Sequence, residues 1–161
     1  MAQTKLAVLR ADISREMDDL RRLVVEAEEW RPLLPDWPHT VRTRTVGGIL
    51  HDFYCDVERI FRHIAVRIDD DLPSGADWHI QLLHRMATDI ETVRPAVLDR
   101  EMAQRLDEYL RFRHLFRNVY GFDLEWERCR ELLDDLPATF GRLSQRLETF
   151  DEFLHTLERK A

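Results

Sequence analysis

Residues 109–121 read Y-L-R-F-R-H-L-F-R-N-V-Y-G, and this stretch sets the reading of the whole chain. At about 100° per residue, Tyr109, Phe112, Phe116 and Val119 share one stripe, the pattern of a helix that faces a core. Arg113, Arg117 and Tyr120 form a second stripe beside it. His114 and Asn118 stack one turn apart on a further face. The segment holds no lysine and no acid, although solvated helix faces usually mix the two. Two explanations compete: arginines at the edge of a bundle that pair with acids on neighbouring helices, or an anion site in which guanidinium groups bind phosphate through charge-assisted hydrogen bonds.

The surrounding sequence repeats the helical period. Leu6, Leu9, Ile13, Met17, Leu20, Val24 and Ala27 predict a first helix from about Lys5 to Trp30. Pro32, Pro35 and Pro38 end it, and Trp37 in that loop is expected to cover one end of the bundle. Val46, Leu50, Phe53, Val57, Ile60, Ile64 and Ile68 predict a second helix that closes at Asp69, Asp70 and Asp71. A third, capped by Ser74 or Asp77, is expected to carry Trp78, Leu82, Leu83, Met86, Ile90 and Val93 as far as Pro95. The fourth runs from about Asp99 to Gly121, with Gly121 read as a left-handed C-terminal cap. A fifth, capped by Asp123, continues to Leu157, with Pro137 expected to kink or divide it. The fold class is therefore all-α, an antiparallel bundle of about five helices, in one domain over residues 1–161.

Composition narrows the function. A formal net charge of -7 opposes broad nucleic-acid binding, so only a local basic site such as residues 109–121 could serve. Neither a leader pattern nor an apolar run long enough to cross a membrane is evident, and Cys55 and Cys129 read as free thiols. A cytoplasmic protein that does not engage a membrane is expected. No phosphate-binding glycine loop or nucleophile elbow is present, and no cofactor is implied. His79 and His84 are five apart, too splayed for a two-histidine metal site, so no metal is expected. Glu26, Glu28, Glu29 and Glu58 lack the spacing of a di-iron bundle and are read as a solvated face. His51, His63 and His155 read as structural histidines, with His51 in L-H-D-F-Y kept as a second-tier candidate.

Three segments together, L-H-D-F-Y-C-D-V-E-R-I-F at residues 50–61, W-H-I-Q-L-L-H at 78–84 and F-R-H-L-F-R-N-V-Y-G-F at 112–122, resemble the HEPN superfamily, specifically its HepT-like ribonuclease branch. That family carries an Arg, four to six residues, then a His, often followed by x-Tyr, near the end of a bundle helix. The resemblance implies a prokaryotic toxin and antitoxin module, RNA as substrate, a minimal nucleotidyltransferase as antitoxin partner, and a homodimer with its cleft between protomers. It also implies metal-independent RNA cleavage, in which a ribose 2'-hydroxyl attacks the adjacent phosphate. Carried over, Arg113 neutralises the developing charge, His114 takes the polar place after it, and Tyr120 matches a tyrosine that some partners adenylylate. Arg111 and Arg117 would add phosphate contacts. Asn118 stands where the motif has its histidine, and a carboxamide cannot exchange protons near neutral pH. The alternative is a noncatalytic HEPN dimer in which Arg113, Asn118 and Tyr120 only bind nucleotide or phosphate.

Overall fold

Apolar residues at alternating three- and four-residue spacing turn residues 39–64 into the helix on which the others pack. In the computed structural model, which describes residues 2–160, five α-helices follow one another: α1 (Ala2–Trp30), α2 (His39–Ile64), α3 (Trp78–Met86), α4 (Arg100–Asn118) and α5 (Trp126–Lys160). Helix α2 touches all four others. Phe53, Tyr54, Val57, Ile60, Phe61 and Ile64 on it are wholly buried, each such side chain contributing roughly 1.5–3 kcal/mol. No strand forms among the described residues, only an isolated antiparallel bridge between Ile90 and Arg94.

Ion pairs show the helix directions. Arg10 near the start of α1 binds Asp151 and Glu158 near the end of α5, whereas Arg31, just past α1, binds Asp134 in the first half of α5. Arg59 and Arg67 bind Glu16 and Asp12 in the reverse order, so α1 is antiparallel to both α2 and α5. Arg105 with Asp135 and Arg142 with Glu101 place α4 antiparallel to α5.

Three boundaries depart from the sequence reading, at the ends of α3 and α4 and the start of α5. Helix α3 stops at Met86, whose carbonyl accepts from the amides of both Val97 and Leu98 at 2.8 and 3.0 Å. That return buries Val97 and Leu98 completely and leaves Val93 exposed, so the core takes the later apolar pair instead of the periodic one. Helix α4 ends at Asn118, followed by an extended Val119, and Gly121 opens a short 3-10 turn over Gly121–Asp123 without a positive φ. Gly121 is small for another reason: a Cβ there would collide with the Arg44 side chain. Asp123 therefore lies inside that turn and is not the cap of α5. Helix α2 passes into a π turn at Ala65–Asp69 before a left-handed Asp70.

Pro137 lies within an unbroken α5. Proline removes the amide that would bond the carbonyl four residues earlier, and here the Arg31 guanidinium donates to that Leu133 carbonyl at 2.9 Å. The expected division of the helix is absent because a neighbouring side chain satisfies the freed acceptor. Trp37 packs against Trp30, with ring centroids 5.9 Å apart, and covers the bundle end as the sequence suggested.

Candidate functional site

Helix α4 begins inside the core and ends outside it. The Asp99 carboxylate accepts from the Met102 amide at 2.7 Å, a side-chain cap that fixes its start. Met102, Leu106, Tyr109, Leu110 and Phe112 are then buried in turn. The Tyr109 hydroxyl donates to the Leu132 carbonyl at 2.9 Å, and its ring meets Phe53 at 5.2 Å. Beyond Arg113 the helix emerges, leaving His114, Leu115, Arg117 and Asn118 exposed and Phe116 half-buried. Phe116 lies over Gly47, where even a Cβ would come within 2.8 Å of the ring.

Arg113 itself is buried, with 5% of its surface exposed. Its Nη1 donates to Glu58 Oε1 at 2.9 Å. Its Nη2 lies 2.7 Å from His79 Nδ1, and that same Nδ1 lies 2.6 Å from Glu58 Oε2. One ring nitrogen cannot both donate and accept. The guanidinium keeps its protons, and a carboxylate is the stronger acceptor for an N–H, so Nδ1 carries a proton donated to Glu58. The Arg113 to His79 approach is then a close contact without a hydrogen bond. Arg113 Nε is buried with no partner. The guanidinium also lies 5.3 Å from the Tyr54 ring centre. Burial, offset by the carboxylate of Glu58, leaves Arg113 held above its ordinary value.

A cavity of about 740 Å³ opens beside this cluster between α3 and α4. His79 and His84 line it from α3, and Arg111, Arg113, His114, Arg117 and Asn118 from α4. Arg111 is exposed and paired to Asp107 at 2.8 Å. The Asn118 amide donates to the His114 carbonyl at 2.6 Å, so it satisfies an end carbonyl of its own helix. Tyr120 is not among the cavity residues. It is 72% exposed and stacks on Phe122, with ring centroids 5.3 Å apart and planes 5° from parallel.

Five of the six residues singled out in the sequence thus line one cavity, and Tyr120 lies apart. The sequence reading missed two partners. Glu58, taken for a solvated residue, is 6% exposed. It follows Tyr54 by four and precedes Phe61 by three, so an acid on the apolar stripe was the available signal. His79 and His84, though five apart, line the same cavity. Among the described residues no group of three or more His, Cys, Asp and Glu side chains could hold a metal, and no helix is long and apolar enough to cross a membrane.

A family model described as HepT-like protein matches residues 45–154, more than half of the chain. That span contains most of α2, all of α3 and α4 and most of α5, and with them every residue of the cluster. No curated protein and no solved structure matches the chain.

Proposed function

The chain belongs to the HepT-like family, and on that premise we propose that it is the HEPN protein of a toxin and antitoxin module that cleaves RNA without a metal and works with a minimal nucleotidyltransferase. The observation that supports this reading most is the cavity between α3 and α4, where His79 and His114 stand with Arg111, Arg113 and Arg117. In a chain of net charge -7, this gathers cations for a phosphodiester beside groups able to move protons. The attacking ribose 2'-hydroxyl would be activated there while the arginines stabilise the charge on phosphate.

The proposed homodimer draws on the emerging end of α4, where Leu115, Tyr120 and Phe122 remain exposed. A second protomer would cover these apolar groups. Light scattering at micromolar concentration should give twice the monomer mass, and a monomer would oppose it.

Purified protein incubated with single-stranded RNA and EDTA should yield fragments ending in cyclic phosphate. Loss of cleavage on chelation, with recovery on adding a divalent ion, would refute the metal-independent mechanism. The noncatalytic alternative keeps specific support, because the Asn118 amide is engaged with its own helix and Arg113 is already paired with Glu58. RNA binding without any cleavage would favour it.

A further inference from the structure

We infer that His79, oriented by Glu58, is the general base of this site, an assignment that rests on the RNA-cleaving reading above. The motif position that would carry the histidine holds Asn118, whose amide donates to the His114 carbonyl and cannot act as an acid or base near neutral pH. His79 reaches the same cavity from a different helix. Its Nδ1 is engaged by Glu58 at 2.6 Å, so in this assignment Nε2 is the ring nitrogen left to take a proton from substrate. A carboxylate behind the ring fixes the tautomer and stabilises the imidazolium formed when Nε2 takes a proton. Trp78 lies against the ring, with centroids 3.6 Å apart, and restricts its swing.

Arg113 completes the arrangement. Its cation shares Glu58 with His79, and its side chain lines the same cavity, which puts positive charge beside the place where a phosphate would sit. Glu58 is a positioning residue in this scheme, because it acts through His79 and Arg113.

The step balances as follows. The 2'-hydroxyl proton passes to His79 Nε2 as the 2'-oxygen forms a bond to phosphorus. The bond from phosphorus to the 5'-oxygen breaks, and the leaving oxygen takes a proton from His114 in its imidazolium form. The products are a 2',3'-cyclic phosphate and a 5'-hydroxyl. No oxidant or metal is consumed.

The test uses the full chain and a short RNA, with an all-deoxy oligonucleotide as the noncleavable ligand. His79→Gln should lower the cleavage rate at least about 100-fold and change deoxy-oligonucleotide affinity by less than about threefold. A parallel substrate with sulfur replacing the 5'-oxygen has a leaving group that needs no acid. It should restore His114→Gln and leave His79→Gln defective. Rescue of His79→Gln by sulfur would reverse the roles and overturn the assignment. So would cleavage by His79→Gln within about threefold of wild type, although RNA cleavage itself would then stand. Absence of cleavage by the wild type would refute both. Should His79→Gln fail to fold, nitrogen-15 spectra of the wild-type imidazoles decide the matter: the inference requires His79 protonated at Nδ1, with an Nε2 resonance that moves on adding the deoxy-oligonucleotide. An Nδ1 without a proton, or an Nε2 indifferent to ligand, would overturn it.

Discussion

Two arginines are buried in this molecule together with a carboxylate, and they are used in opposite ways. Arg94 meets Asp69 through Nε and Nη2 at 2.5 and 2.8 Å, and its Nη1 and Nη2 also donate to the carbonyls of Thr88, Pro95 and Arg85. Every nitrogen has an acceptor. Arg113 has one bond to Glu58, a crowded approach to His79 and a bare Nε. The first pair closes the turn after α3, whereas the second borders the cavity between α3 and α4. A saturated arginine can do nothing but hold its turn. Arg113 is less fully satisfied, and its side chain reaches the wall of a cavity.

The comparison breaks most sharply at stability. Removing one member of a buried pair strands the other charge, at a cost of about 3–5 kcal/mol, and Arg94→Ala should show that full loss in urea unfolding. Arg113→Ala should cost less, about 1.5–3 kcal/mol, because Glu58 retains the His79 N–H and the cavity admits water. Equal losses would mean that the Arg113 cluster is as structural as the other.

Phe112 and Phe116 sharpen the same boundary one turn along. Phe112 is 1% exposed in the core, so Phe112→Ala should cost about 3–5 kcal/mol. Phe116 is half-buried over Gly47 and against the His51 ring at 5.2 Å. Its removal should cost under about 2 kcal/mol and should disturb RNA binding more than it disturbs the bundle. The opposite order would move the edge of the core to the end of α4.

How far the sequence could be read follows from the same distinction. Helical period located α1, α2, α4 and α5 because each buries a continuous stripe. It overran α3, since Ile90 and Val93 fit the period while the turn made by Arg94 and Asp69 has no periodic signature. In the candidate site, the concentration of arginine in residues 109–121 drew the reading to α4, and the family resemblance singled out Arg113, which lines the cavity. Glu58 and His79 were hidden because they meet Arg113 across 55 and 34 residues of chain, and no local spacing encodes a contact between helices. Tyr120 was placed on the α4 stripe by extrapolating a helix that stops two residues earlier.

His63 tests whether a partnerless buried nitrogen is enough to mark a site. Its Nε2 is buried without a partner, as Arg113 Nε is, yet it does not line the cavity between α3 and α4. Burial holds its imidazole below the ordinary 6.5 despite the attraction of Asp12. With the folded value depressed, the unfolded chain takes up the proton first. The stability involved is fully present above about pH 6.5 and is lost as pH falls through the folded value. His63→Gln should therefore lose less stability than wild type between pH 7.5 and 5.5 in matched urea titrations and leave RNA binding unchanged. A loss of binding would place His63 with the Arg113 cluster and undo the distinction between a structural orphan and a functional one.

Cys55 and Cys129 give the smallest effect and the finest probe of charge. Burial pushes both thiols up, Cys129 to about 11. At Cys55 the Arg113 cation pulls back against that push. Replacing Arg113 with Met keeps a long apolar side chain and removes the charge, so the Cys55 thiol should titrate higher still. The checking measurement is the pH midpoint of iodoacetamide alkylation at Cys55, which follows thiolate formation and separates charge from access. In Arg113→Met the midpoint should move up while Cys129, wholly buried, remains unmodified on the same timescale. Arg94→Met serves as the control, and its midpoint at Cys55 should match wild type. A midpoint unmoved by Arg113→Met would show that Glu58 already cancels the Arg113 charge at this distance. The second arginine would then be as self-contained as the first, with no net positive field to offer a phosphate.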